Sequence, residues 1–205
     1  MQYFTINLYT VIRTYIIEGV KNLTDTEFES GIKLILEGKK DALRKIYDAY
    51  SRMIYQVMLN IVKNPQDAED LTSDFFLKLW DTAGQYAFGG GHKRYITVMA
   101  RNLAFDFLRK QKFETYTLDD DTCEHAEQED SMRVDDDVIG GISFDRVLSN
   151  LKDDEREIIS LHLGMELTFS EISKVLDKPL GTVAWKYRQA ISKLRKTVKE
   201  GGING

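Results

Sequence analysis

Cysteine and proline are nearly absent from this chain of 205 residues, which has one of the former and two of the latter. A lone Cys123 excludes an internal disulfide, and with no second cysteine at ligand spacing it excludes the common zinc motifs. A reducing compartment, the cytoplasm, is expected. So few prolines leave long helices unbroken, and 42% hydrophobic residues suit an ordinary globular, mainly helical protein. Long apolar runs are missing too. Residues 1–20 are rather apolar, but they lack a basic start and are interrupted by Asn7, Arg13 and Glu18, so they make a poor signal peptide or membrane span. They read as an extra helix or strand, or as the product of an ill-chosen start codon.

A positive excess is also lacking. The net charge of −5 taken alone argues against a nucleic-acid partner. The distribution of charge points the other way: from Glu114 to Asp145 there are 12 acidic residues against one basic, Arg133, which leaves 27 basic and 21 acidic residues elsewhere. The pattern is two near-neutral-to-basic bodies joined by an acidic, aromatic-poor strap, a composition expected to stay flexible. The length suits one large domain or two small ones, and no repeat of solenoid period is visible.

Helical periodicity is what the sequence does have. From Lys40 to Val62, Leu43, Ile46, Tyr47, Tyr50, Ile54, Val57, Met58 and Ile61 recur at three-and-four spacing, which predicts one long amphipathic helix. Asn64-Pro65 ends it and opens the next, since Asn64 can cap, Pro65 suits a first turn, and Asp67 and Glu69 favour the positive end. Leu71, Phe75 and Leu79 then form a stripe, with Asp70, Asp74 and Lys78 on an adjoining, exposed face. After Gly89-Gly90-Gly91, read as a flexible connector, a third helix runs from about Arg94 to Lys112 with Ile96, Met99, Ala100, Leu103 and Phe107 inward.

The second body begins near Phe144, after Gly140-Gly141. Thr168 and Glu171 have capping-box spacing and start a helix that carries Ile172, Val175 and Leu176 inward. A turn over 177–181 leads to a stripe from Thr182 of Val183, Tyr187, Ala190, Ile191, Leu194 and Val198, with Lys186, Arg188, Lys193, Arg195, Lys196 and Lys199 on the other faces. Helix, short turn and basic helix describe a helix-turn-helix, whose exposed start suits a major groove.

Each signal has a plainer reading. A lone basic helix is more often a solvated face, and here the capped helix before it tips the balance toward DNA. Tyr95, Arg101, Asn102, Phe105, Arg109 and Lys112 suit unstacked bases and a single strand, though Tyr95 and Phe105 also fit a core, and Asp106 with Arg109 fits a local pair. The face of Asp70, Asp74 and Lys78 reads by default as solvated. Cys123 and His125 have no matching ligands, and His92 and His162 show no nucleophile or carboxylate partner at readable spacing, so neither metal nor catalysis has support.

Three segments go further. DAEDLTSDFFLKLW at 67–80 resembles the core-polymerase-binding segment of bacterial sigma factors, ARNLAFDFLRKQK at 100–112 their promoter-melting segment, and LTFSEISKVLDKPLGTVAWKYRQAISKLRK at 167–196 their helix-turn-helix that reads the −35 element. All three stand in family order, and the missing middle domain resembles the extracytoplasmic-function (ECF) group of the sigma-70 family. The sequence departs from the family pattern at Ser73 and Asp74, where Gln-Glu is common, at His92 and Tyr95, where other aromatics are commoner, and at Ala184 and Trp185, so promoter sequence does not carry over.

The resemblance implies an all-α protein without catalysis, cofactor, metal or small-molecule substrate. Its parts would be an N-terminal extension over 1–22, a region 2-like domain over 23–113, an acidic linker over 114–142 and a region 4-like domain over 143–200. Asp67, Asp70, Leu71, Asp74, Phe75 and Lys78 would meet the polymerase clamp helices. Tyr95, Arg101, Asn102, Phe105, Arg109 and Lys112 would hold the opened −10 strand. Thr182, Ala184, Trp185, Lys186, Arg188 and Lys193 would meet the −35 duplex, with the outer surface of that domain on the polymerase flap. An anti-sigma factor is the further partner implied. A DNA-binding regulator that never joins polymerase, or an adaptor built around the acidic strap, are the alternatives; the first would have no use for the segment at 67–80, and the second leaves the basic capped helix unexplained.

Overall fold

The computed structural model describes residues 22–118 and 150–200, which form seven α-helices, a 3-10 turn and a π turn, with no strand among them. Residues 1–21 of the extension over 1–22, most of the acidic strap and the start of the second body near Phe144 lie outside the described residues.

Helix α1, Asp25–Leu36, precedes the first helix expected from sequence. A reciprocal capping box starts it: the Glu27 backbone N–H donates to Thr24 Oγ1 at 3.2 Å and the Thr24 N–H to Glu27 Oε2 at 2.8 Å, so two donors of the opening turn are satisfied. It buries Phe28, Ile32 and Ile35. Helix α2 spans Lys40–Val62 as its periodicity predicts, but Tyr47 is exposed and leans on Phe76 at 4.8 Å, while Ala42, Ala49 and Met53 fill the core side. Lys63 closes α2 in a left-handed conformation, φ 62°, before the proline. Asn64 then caps α3, Pro65–Asp81, accepting from the backbone of Gln66 and Asp67 at 2.9 and 3.2 Å.

The 3-10 turn Ala83–Gln85 and the glycine run lead into α4, His92–Leu118. The run is a built turn and not a loose connector. Gly89 and Gly91 sit at φ 77° and 79°, where a Cβ is disfavoured, and the Gly89 N–H donates to Glu29 Oε1 at 2.6 Å.

The second bundle opens with α5, Asp153–Ile159, which runs directly into a π turn, Ser160–Gly164. Neither element is expected from sequence. The capping box at Thr168 and Glu171 starts α6, Phe169–Leu176; Asp177 turns the chain at φ 49°, and α7 covers Leu180–Glu200. Helix α2 packs on α1, α3 and α4, and α7 packs on α5 and α6. The bundles also meet, with α2 against α5 and the π turn, and α4 against α6.

Candidate nucleic-acid interface

On α3, Asp70, Asp74 and Lys78 are exposed and Asp67 is half-buried, with Leu77 standing 63% exposed among them. The sequence reading groups Leu71 and Phe75 with this face. The structure puts both in the core, because their stripe points toward α2; they support the surface from beneath and offer it nothing to touch.

Helix α4 gathers its candidates less evenly. Tyr95 is half-buried with its ring edge-on to Tyr86 at 5.0 Å, and burial raises both phenols, Tyr86 to about 12. Tyr95 and Asn102 line a groove of about 350 Å³ together with Lys78, Thr82, Gln85 and Arg94. The sequence reading places Lys78 on the polymerase-facing surface and passes over Thr82, Gln85 and Arg94, which come from the cap after α3, the 3-10 turn and the first turn of α4. Arg101 lies 5.2 Å from the exposed Phe105 ring, but its guanidinium pairs with Glu157 of the second bundle, and burial lowers its proton affinity. Arg109 pairs with Asp106 on its own helix, as the local reading allows, and Lys112 is exposed.

His92 has partners that sequence spacing hides. Its ring is buried against Phe28 at 4.7 Å; Nδ1 contacts Asp25, whose Oδ1 also accepts the His92 backbone N–H at 3.2 Å, and Nε2 lies 2.5 Å from the Tyr50 hydroxyl. Asp25 thus holds one of the orphan donors at the start of α4. Hydrogen bonding to His92 lowers the Asp25 carboxyl, burial lowers His92 despite that carboxylate, and burial raises Tyr50. His162 is structural: its Nδ1 and the Leu167 carbonyl are 2.8 Å apart, and its ring packs on Phe169 and Tyr187.

At the start of α7, Trp185 is 53% exposed, while Thr182 and Ala184 are half-buried. Arg188 is exposed, its Nε donating to the Ala184 carbonyl at 3.3 Å. Lys186 and Lys193 are expected to meet DNA, yet both have partners on α5. Lys186 pairs with Asp154 and lies 6.0 Å from the Trp185 ring; Lys193 donates to both oxygens of Glu155 at 2.9 and 2.6 Å. The Lys186 hydrogen bond lowers Asp154, and at Glu155 the bonds from Lys193 and the Lys152 backbone outweigh a burial effect of opposite sign. A second groove, about 630 Å³, runs along α7 beside Tyr187, Arg188, Ile191, Ser192, Arg195 and Lys196.

Among the described residues no group of three His, Cys, Asp or Glu side chains could hold a metal ion, and no helix is long and apolar enough to cross a membrane. Cys123 and His125 lie outside the described residues.

Each bundle matches a known protein family. Residues 46–114 match the family model for sigma-70 region 2, and residues 147–196 that for sigma-70 region 4. The chain is 26% identical over 179 residues to the ECF RNA polymerase sigma factor SigW of Bacillus subtilis (82% of this chain, 95% of the relative), and 26% identical over 168 residues to SigK of Mycobacterium ulcerans (80% and 89%). Its fold is like that of the sigma factor RpoE from Bartonella quintana, solved with the anti-sigma factor NepR, at a TM-score of 0.59, 18% identity and coverage of 79% of this chain and 98% of that one. It is also like CnrH, solved with the cytosolic domain of CnrY, at 0.54, 14%, 85% and 98%.

Proposed function

The chain belongs to the sigma-70 family of RNA polymerase sigma factors, in its ECF group, and from that premise we propose how its surfaces divide the work of transcription initiation. A sigma factor binds core polymerase, recognises the −10 and −35 promoter elements and promotes strand opening. Here the domain over 23–113 docks on the clamp helices through Asp67, Asp70, Asp74 and Lys78, with exposed Leu77 as an apolar contact among the charges. The domain over 143–200 places Trp185, Arg188 and the half-buried Thr182 and Ala184 at the −35 duplex and lays its outer groove on the flap.

The observation that carries the reading is the groove beside α4. Tyr95 supplies an aromatic wall, Asn102 and Gln85 supply amides that can both donate and accept, and Lys78 and Arg94 bring positive charge, the combination that holds an unstacked base and its backbone. Arg101, Phe105, Arg109 and Lys112 extend that surface along the helix. The protein performs no chemistry of its own and works in the cytoplasm. A sigma factor of like fold is solved with an anti-sigma factor, and an anti-sigma factor is the regulatory partner proposed here.

The test is pull-down with core polymerase followed by run-off transcription. Core binding with promoter-dependent initiation is expected, and Asn102→Ala is expected to slow open-complex formation while core binding holds. Binding without initiation supports an adaptor, and no binding supports a plain DNA-binding regulator.

A further inference from the structure

Helix α1 carries Asp25, Glu29 and Lys33 one turn apart, and all three reach the same short segment of chain. Asp25 Oδ1 accepts the His92 backbone N–H at 3.2 Å, Glu29 Oε1 accepts the Gly89 N–H at 2.6 Å, and Lys33 Nζ lies 5.5 Å from the centre of the Phe88 ring. One face of one helix thus holds residues 88–92 at three points. That segment frames the groove beside α4, since Gln85, Tyr86, Ala87 and Gly90 line it together with Tyr95 and Asn102. Tyr86 is buried with its ring edge-on to Phe28 of α1 at 5.5 Å and to Phe88 at 5.3 Å, and the Glu29 carboxylate adds to burial in raising its phenol. The turn is tight as well as tethered. A Cβ on Gly90 would stand 3.0 Å from the Ala87 carbonyl oxygen, which accepts the Gly90 N–H at 3.2 Å.

We infer that Glu29 is a positioning residue for strand capture: by holding the Gly89 N–H it sets the turn over 86–91 in the shape that receives an unstacked base, while Asp25 and Lys33 fix the segment on either side. This rests on the reading of the groove as the seat of such a base. A run of three glycines has many conformations open to it, and a bond to a half-buried carboxylate selects one of them before any strand arrives. The cost of ordering the turn is then met in folding and not at binding. Without the tether only a fraction of molecules hold the groove ready, and apparent affinity falls in proportion, about tenfold if one molecule in ten does so. Charge alone predicts the reverse sign. A carboxylate near a strand-binding groove repels phosphate, so its removal would strengthen binding if Glu29 had no positioning role.

The test uses holoenzyme reconstituted from the full chain and core polymerase, and a labelled pool of short single DNA strands of random sequence from which the bound fraction is sequenced. Wild type is expected to select one base at one position. Glu29→Ala is expected to bind about tenfold more weakly and to lose most of that selection, with core binding unchanged. Glu29→Gln, whose amide oxygen still accepts the Gly89 N–H, is expected to stay within about twofold of wild type. Glu37→Ala removes the same charge from an exposed position at the end of α1 and is expected to bind no more weakly than wild type. Unchanged or tighter binding by Glu29→Ala overturns the inference; so does an equal loss in Glu29→Gln or Glu37→Ala, and so does a loss that leaves base selection intact. Should Glu29→Ala fail to fold by circular dichroism, Lys33→Met takes its place, keeping the stem and removing the cation from the Phe88 face. It is expected to bind about threefold more weakly with flattened selection, and wild-type selection there overturns the inference. Asn102→Ala separates the two readings. Strand affinity and selection unmoved by Asn102→Ala remove the groove as the seat of a base, whereas a loss in Asn102→Ala with none in Glu29→Ala removes the positioning role alone.

Discussion

His92 shows how one residue can tie three helices. Nδ1 contacts Asp25 and Nε2 lies 2.5 Å from the Tyr50 hydroxyl, which donates to the Leu23 carbonyl at 3.2 Å, so one ring joins α1, α2 and the start of α4. The charged groups that act on it are Asp25 and Glu29 from α1 and Lys93 beside it, while Asp25, Glu27 and Glu166 of the second bundle act on its neighbour Tyr50. Because burial lowers the folded value below the unfolded value of about 6.5, the unfolded chain takes up the proton first as pH falls. The stabilisation is therefore whole above about pH 6.5 and declines as pH drops toward the folded value; that of Asp25, also lowered, declines only below its ordinary carboxylate range. Melting temperature is expected to fall from pH 7 to 5.5 and to fall much less in His92→Phe, where the ring still packs on Phe28; equal slopes would exclude His92 as the cause. Arg188 and Lys186 divide in the same residue-by-residue way. Arg188→Ala is expected to weaken promoter-duplex binding and flatten its log-log salt slope by about one unit. Lys186→Ala is expected instead to cost about 1 to 2 kcal/mol of stability in urea unfolding, since its ammonium is tied to Asp154. A flattened slope for Lys186→Ala with unchanged stability would reverse the assignment.

Among the elements, α3 separates folding from docking most cleanly. Its inner stripe of Ala68, Leu71, Phe75 and Leu79 is buried, while Asp70 and Asp74 are exposed on the other side. Reversing both charges to lysine is expected to leave far-ultraviolet circular dichroism unchanged and to weaken pull-down of core polymerase severalfold, because exposed charges steer and register an interface more than they stabilise a helix. Retained pull-down would remove this face from the interface. Helix α5 does the opposite work. Its Asp154 and Glu155 hold Lys186 and Lys193 of α7, so an element outside the helix-turn-helix engages two cations of the helix proposed to face DNA.

At the scale of the whole molecule, the two bundles meet through ion pairs and through apolar packing, since their buried residues form one cluster. Salt should act on the joint before it acts on either interior, since the Debye length is roughly 10 Å at 0.1 M and about 3 Å at 1 M. Calorimetry is expected to give a single unfolding transition at low salt and two at about 1 M sodium chloride, once the pairs at Lys63, Lys93 and Arg101 are screened. One transition at both concentrations would mean that apolar packing, and not charge, couples the bundles.

The sequence by itself determined whatever depends on near neighbours. The apolar spacing from Lys40 to Val62, the Asn64-Pro65 junction and the Thr168–Glu171 capping box each lie within a few turns of chain, and the structure holds them there. Helix α1 was equally legible from Thr24, Glu27 and the stripe of Phe28, Ile32 and Ile35, although the reading from Lys40 passed over it. The π turn has no such signal, because an i→i+5 bond such as that from Met165 N–H to the Ser160 carbonyl follows from how the segment is packed. Only the tertiary structure decided the partners of the charges. Asp25 and His92 lie 67 positions apart, Arg101 and Glu157 56, and Lys186 and Asp154 32. Composition counts such residues and periodicity assigns them a face, but an ion pair forms by distance in space, and that is fixed when the helices pack.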